Sequence, residues 1–364
     1  MDEKIRHHKN REKAMNGKMK AIMKVKPEKG AEICWIPTPK IGPKEVLVQV
    51  KVASICGSDL HIYDWDQWAS NRIKPPRVFG HELSGEVIEV GDEVNSVQVG
   101  TFVSAETHIS CGHCIQCRTG NAHVCRNFKI LGVDVDGCFA EYVAIPENNV
   151  WKNDGSLPLE LTSLQEPLGN ATYTVLSDEI VGRTVLALGC GPIGIMAIGV
   201  ARACGASTII GVDIIDYRLN LAKKMGADFI LNDKKEDIVD KILSITNEEG
   251  VDVLLEMSGV PSAIRKGFKV LRNAGRASLL GIPALPMEFD LSNDIIFKGA
   301  KVYGITGRRM FKTWYQVSQL LKSHRLDISP VITHRLKFEE FERGFELMKS
   351  GNCGKIILSQ ETKN

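Results

Sequence analysis

The chain has 364 residues, 43% of them hydrophobic, and a formal charge of +2. That is length enough for two domains, with no charge excess of the kind that nucleic acid or an anionic membrane selects. No apolar run approaches the length of a membrane-spanning helix. Ten cysteines follow no secretory segment, and four are spaced like metal ligands, so they read as thiols of a reducing cytosol and the protein as cytoplasmic.

Residues 1–18 stand apart. The first twenty residues hold seven lysines and arginines against three acids and no apolar stretch. They read as a disordered basic tail, with a nucleic-acid-binding arm as the competing reading. From residue 19 the pattern becomes strand-like. Glu45 to Val52 alternates apolar and polar after Pro37, Pro39, Gly42 and Pro43. Leu83 to Val90 alternates again, Gly91-Asp92 turns, and Gly100 to Val103 returns the chain. Short strands between turns predict a β-rich, barrel-like first domain.

Two clusters interrupt these strands: Ile55-Cys56-Gly57-Ser58-Asp59-Leu60-His61, and Phe79-Gly80-His81-Glu82. Catalytic zinc sites use three protein ligands and leave one position open, and Cys56, His81 and Glu82 can supply three. A buried structural histidine is the alternative. Next comes Cys111-Gly-His-Cys114-Ile-Gln-Cys117, followed by Cys125. Four thiols at these separations can close a tetrahedron around a structural zinc. A disulfide framework fits poorly without a secretory segment, and a nucleic-acid-binding zinc ribbon would show interleaved aromatics. His113 and His123 lie in the lobe, but the tetrad does not need them.

Composition shifts around Leu157. A stretch with helical spacing starts at Ser163 and runs towards Leu176, then Arg183 to Leu188 reads as a buried strand leading straight into Gly189-Cys190-Gly191-Pro192-Ile193-Gly194. A helix follows, and strand Thr208 to Val212 ends at Asp213. A G-x-G-x-x-G set between strand and helix, with an acid closing the next strand, is a dinucleotide-binding pattern. The glycines let a pyrophosphate approach the backbone and the helix N-terminus. Asp213 would accept from the ribose hydroxyls and repel a 2′-phosphate, which favours NAD over NADP. Alternating helices and strands continue to Val302–Ile305, predicting a doubly wound parallel sheet. The fold class is therefore α/β, with residues 19–165 and 308–364 forming the β-rich domain and 166–307 the dinucleotide-binding domain.

A β-rich domain with an open metal site and a four-cysteine lobe, followed by a dinucleotide-binding domain, resembles the zinc-dependent medium-chain alcohol and polyol dehydrogenases. The resemblance runs from Met19 onward and implies a GroES-like catalytic domain beside a Rossmann domain. It also implies NAD and two zinc ions per subunit, and a homo-oligomer, specifically a tetramer, with no nucleic acid or membrane partner. Cys56, His81 and Glu82 match the family's catalytic zinc ligands, and Cys111, Cys114, Cys117 and Cys125 the structural ones. Ser58 matches a proton-relay position usually held by threonine, His61 the relay histidine, and Glu166 an acid that either ligates zinc or assists proton transfer. Gly189, Gly191, Ile193, Gly194, Asp213, Arg218, Leu280, Gly281, Ile282, Ile305 and Thr306 match NAD-contacting positions, although some relatives carry a bulkier residue at 306. The runs Tyr63–Trp68 and Arg308–Trp314 most resemble the branch acting on L-threonine, which implies its oxidation to 2-amino-3-oxobutanoate, with Arg308 or Arg309 available to the substrate carboxylate. A polyol or 2,3-butanediol dehydrogenase is the alternative, and an inactive zinc- and nucleotide-binding protein of the same fold is the non-enzymatic one. Tyr63, Trp65 and Trp68 are expected to pack, Asp59 to support a turn or a ligand, and Cys34, Cys138, Cys190, Cys204 and Cys353 to be small buried side chains.

Overall fold

The structure is a computed structural model and describes residues 17–360. Of the expected tail, residues 1–16 lie outside the described residues, while Lys18 already opens the first strand, Lys18–Lys24, opposite Pro37. The chain forms two compact units. One holds the residues up to Glu166, His334–Ser350, and the chain from Lys355; the other holds Pro167–Thr333 and Gly351–Gly354.

The first unit is built on an antiparallel sheet. Val150–Lys152, Phe102–Ala105, Glu82–Val90, Glu45–Ser54 and Lys355–Ser359 lie side by side, and Tyr142–Pro146 also pairs with Glu45–Ser54. Glu82–Val90 is buried along most of its length, which explains why its alternation is imperfect. Met19, Ala21, Leu47, Val78, Ile88, Ala140 and Tyr142 pack a core between this sheet and the smaller one begun by Lys18–Lys24.

Register in this sheet builds the site. Ser54 lies opposite Glu82, and Ile357 opposite Ser54. Three strand ends therefore converge, bringing Cys56, His81, Glu82 and Lys355 to one place. Gly80 permits the approach of the second cluster: its φ is +86°, and a Cβ there would lie 2.3 Å from the Phe139 ring. Sequence periodicity missed the helix Gly57–Asp64. Only Asp59 and Ile62 are buried in it, so it shows no apolar stripe.

The second unit is a six-stranded parallel sheet. Counted in chain order from Thr184–Leu188, its strands lie third, second, first, fourth, fifth, sixth. That order is the doubly wound arrangement the alternation predicted, with its crevice at the carboxyl ends of the first strands. Leu186, Ile210, Leu254, Ile264 and Phe268 belong to its core. The sequence reading returned the chain to the β-rich domain at residue 308, whereas the compact units divide at His334. Helix Lys312–Lys322 buries Trp314, Val317 and Leu321, and Leu326 packs against Gly199 of helix Pro192–Ala203. These apolar contacts keep residues 308–333 with the nucleotide-binding unit. Among the described residues no helix is long and apolar enough to cross a membrane.

Candidate active site

One ligand atom each from Cys56, His81 and Glu82 lies within 4.8 Å of the others, with His81 and Glu82 buried. Cys56 is the N-cap of helix Gly57–Asp64. Asp59 Oδ2 accepts from the Cys56 N–H at 2.9 Å, which fixes the thiol at the helix start, while Asp59 Oδ1 stands 3.5 Å from His81 Nδ1. One buried carboxylate thus steadies both the turn and the imidazole. Burial opposes charge on His81, yet Asp59 and Cys56 outweigh it and raise the ring well above its ordinary value. Glu82 Oε1 is buried without a hydrogen-bond partner, and His81 Nδ1 has only the long 3.5 Å approach of Asp59. A buried polar atom left unsatisfied is costly unless something else satisfies it. A thiol, an imidazole and a carboxylate are a donor set that suits zinc, so the three residues fit that ion.

Glu82 has a partner that the sequence did not disclose. Its Oε2 accepts from Lys355 Nζ and from Ser54 Oγ, and Lys355 also donates to the Ile55 carbonyl at 2.8 Å. Burial pushes Glu82 up while Lys355 pulls it down, and Lys355 is held above the usual lysine range, against its own burial, by Glu82. Both side chains are almost fully buried. Removing one member of a buried pair costs about 3–5 kcal/mol because the other charge is stranded. Lys355→Met is therefore expected to lower unfolding free energy by about that amount in the metal-stripped protein, read from the urea midpoint. A loss below about 1 kcal/mol would mean that the pair contributes like a surface bridge.

Ser58 and His61 sit three residues apart on helix Gly57–Asp64 and so share a face. Ser58 Oγ lies 3.5 Å from His81 Nε2, beside the ligand cluster, and His61 is exposed at the far end. Glu166 is buried and accepts from Thr107 Oγ1 at 3.1 Å. Of the nearby aromatics expected to pack, Tyr63 and Trp65 are partly covered, whereas Trp68 is exposed. Tyr63 stacks on Phe345 at 4.4 Å, Trp65 carries Lys24 Nζ over its ring, and Trp68 meets His61 edge-on. Of the five cysteines read as buried, Cys138, Cys190 and Cys353 are, whereas Cys34 and Cys204 are only partly covered.

The four-cysteine lobe is preassembled. Cys114 Sγ lies 3.4 Å from Cys117 Sγ and 3.7 Å from Cys125 Sγ, and Cys125 Sγ is 3.5 Å from Cys111 Sγ. Zinc–sulfur bonds of about 2.3 Å place tetrahedral sulfurs about 3.8 Å apart, so the tetrad fits the ion with little movement. The backbone N–H groups of His113 and Cys114 draw Cys111 down to about 6, and that of Cys117 lowers Cys114. Amides aimed at sulfur favour thiolate, the form that binds metal. His113 instead turns its ring to the Cys111 carbonyl at 2.7 Å, and His123 is buried.

In the second unit, strand Thr184–Leu188 ends at Gly189 with φ +96°, and a Cβ on Gly194 would lie 1.9 Å from the Gly189 carbonyl oxygen. A Cβ on Gly191 would meet nothing within 4 Å, leaving open the space above the N-terminus of helix Pro192–Ala203. These are the roles a pyrophosphate cradle requires. Asp213 closes its strand, but its carboxylate is already engaged: Oδ2 accepts from the Cys190 N–H at 2.8 Å, and Oδ1 from Ile214 and Ile215 at 2.8 and 3.0 Å. It therefore ties the glycine turn to the next strand while keeping lone pairs for a ribose. Arg218 donates through Nε to the Gly351 carbonyl at 3.2 Å. Ile193, Leu280 and Gly281 are half-buried, Ile305 is buried, and Ile282 and Thr306 are exposed. Arg308 is buried, donating to Asn170 Oδ1 at 3.2 Å, and Arg309 lies over the Tyr173 ring. Both arginines offered to a substrate carboxylate thus have structural partners.

Residues 42–155 match the alcohol dehydrogenase GroES-like domain, and residues 192–323 match the zinc-binding dehydrogenase family. The chain belongs to the zinc-binding dehydrogenases, a class of oxidoreductase. Its relatives include the L-threonine 3-dehydrogenases of Bacillus licheniformis, 55% identical over 94% of this chain and 99% of the relative, and of Pyrococcus furiosus, 52% identical over the same shares. Among solved structures, 2R,3R-butanediol dehydrogenase from Bacillus subtilis superposes with a TM-score of 0.86 at 31% identity, covering 94% of this chain and all of that one. An alcohol dehydrogenase from Escherichia coli complexed with NADH gives 0.86 at 29%, covering 94% and 99%.

Proposed function

We propose that the protein oxidises the secondary hydroxyl of L-threonine to 2-amino-3-oxobutanoate with NAD as hydride acceptor. The observation that carries this reading is identity above half over nearly the full length of relatives named for that activity. Cys56, His81 and Glu82 would hold the catalytic zinc, and Cys111, Cys114, Cys117 and Cys125 a structural one. When bound, zinc supplies a Lewis acid for the substrate hydroxyl and NAD supplies the hydride acceptor. Ser58, beside the ligand cluster, takes the hydroxyl proton. His61, on the same helix face and open to solvent, delivers that proton to water. Glu166, buried against Thr107, is read as an acid assisting this transfer from within the first unit. Asp59 and Lys355 hold the ligands and move no proton. The Gly189–Gly194 turn, Asp213, Arg218, Leu280–Ile282, Ile305 and Thr306 would receive NAD. The protein is further read as a cytoplasmic homotetramer, which light scattering on the purified chain tests.

A second reading has its own support, since butanediol dehydrogenase shares the fold at 31% identity. Purified protein should be assayed with L-threonine, D-threonine, sorbitol and 2,3-butanediol, each with NAD and with NADP. The highest kcat/KM is expected for L-threonine with NAD. A neutral diol clearly exceeding it would assign the chain to the diol branch, and equal use of NADP would remove the role given to Asp213.

A further inference from the structure

The proton relay just described needs an imidazole that receives at one nitrogen. Which nitrogen can receive is set by what the other one meets. His61 Nδ1 lies 2.5 Å from Asp66 Oδ2. Asp66 is the N-cap of the next helix, Gln67–Arg72, where its Oδ1 accepts from the Ala69 N–H at 3.0 Å. The two oxygens therefore divide two tasks: one ties the carboxylate to the backbone and the other faces the imidazole. Trp68, on the same short helix, presses edge-on to the His61 ring with centroids 6.0 Å apart, so the ring is held on a second side. Partial burial works against ionisation of Asp66, yet the Ala69 N–H and His61 bring it below the usual carboxylate range. Lys24 anchors the segment between them. It donates to the Tyr63 carbonyl at 3.1 Å and lies over the Trp65 ring, at the helix end where Trp65 takes φ +58°.

We propose that Asp66 is a positioning residue for the relay, holding His61 in the tautomer with the proton on Nδ1 and the Nε2 lone pair free to receive. An ionised carboxylate only accepts hydrogen bonds, so it can face only a protonated Nδ1. The neutral ring then carries no proton on Nε2. The substrate proton adds there, giving an imidazolium that Asp66 stabilises, and water removes a proton from it to restore the starting state. The inference rests on the reading of His61 as the outlet of the relay, and it adds a residue to which that reading gives no role.

Two substitutions separate this role from simple capping. Asn and Ser are both good N-caps, so Asp66→Asn and Asp66→Ser should each keep helix Gln67–Arg72. They differ at His61. With the Asn oxygen on the Ala69 N–H, its amide N–H points at Nδ1 and favours the tautomer protonated on Nε2, which cannot receive. Ser leaves the ring without a fixed partner. The expected order of kcat is wild type, then Asp66→Ser lower by about tenfold, then Asp66→Asn lower still, within the range of general acid–base effects, with KM little changed. Nitrogen-15 NMR of histidine-labelled, zinc-loaded protein, with the His61 signal assigned by its absence in His61→Gln, should show a protonated Nδ1 and a bare Nε2. In Asp66→Asn that pattern should reverse. A wild-type His61 protonated on Nε2 overturns the proposal. So do Asp66 variants with wild-type kcat when His61→Gln is impaired, an outcome that leaves the relay reading intact. If His61→Gln itself retains full kcat, the relay reading falls and takes the role of Asp66 with it.

Discussion

Cys56→Ser and His81→Ala are each expected to lower kcat by about three orders of magnitude; circular dichroism and melting temperature should stay close to wild type in Cys56→Ser, while His81→Ala also loses stability because buried Asp59 loses its neighbour. A Lewis acid contributes several kcal/mol to charge stabilisation in the transition state, and each 1.36 kcal/mol is about tenfold in rate. The fold does not lean on Cys56, a half-buried N-cap beyond the end of strand Glu45–Ser54, because the sheet is held by ladders and by apolar residues such as Leu47, Ile88 and Tyr142. Chelation should reproduce the loss and added zinc should restore it in wild type but not in either variant. If His81 were only a buried structural histidine, His81→Ala would lose stability alone, and kcat per folded molecule would survive. A Cys56→Ser protein keeping more than about a tenth of wild-type kcat would take the residue out of the metal sphere.

Sequence reasoning reached the parts of this site whose chemistry is local. Gly189 and Gly194 announce themselves because only glycine tolerates the positive φ of the first and the 1.9 Å approach of the second, while Gly191 leaves open the space above the helix N-terminus. The cysteine tetrad is legible because its ligands fall within fifteen residues. Lys355 was not legible. It lies 273 positions from Glu82, and only the pairing of Lys355–Ser359 with Glu45–Ser54 brings it there. Asp66 was hidden for another reason, since an Asp before a short helix reads as a cap, and the second use of its carboxylate depends on how helix Gly57–Asp64 ends. The boundary at 308 failed because burial, not composition, decides where Trp314, Val317 and Leu326 pack. Strands were easier. Glu45–Ser54 alternates, and Thr184–Leu188, Thr208–Asp213 and Val251–Glu256 show apolar runs, which tertiary packing reinforces instead of overriding.

Cys117→Ser should act on stability where the ligand variants act on rate. The segment from Cys111 to Cys125 has almost no core of its own. Ile115 and Val124 are largely exposed, and its regular structure is one four-residue helix, Ile115–Arg118, and one short turn of 3-10 helix, Ala122–Val124. Backbone amides draw Cys111 and Cys114 towards thiolate, while burial and the neighbouring thiols push Cys117 up to about 11, so four sulfurs within 3.4 to 3.7 Å of their neighbours are what a closed zinc sphere would complete. Removing one thiolate opens that sphere. A hundredfold weaker affinity lowers the stabilisation from bound metal by about 2.7 kcal/mol, which for a domain of this size is about 5–11 °C in melting temperature. Metal analysis should show one zinc lost per subunit in Cys117→Ser, with the catalytic ion retained and kcat of the remaining folded protein within a few-fold of wild type. Cys56→Ser should show the converse, with the structural ion retained and turnover gone. If Cys117→Ser melts like wild type but binds substrate poorly, the roles assigned to the two metal centres are exchanged.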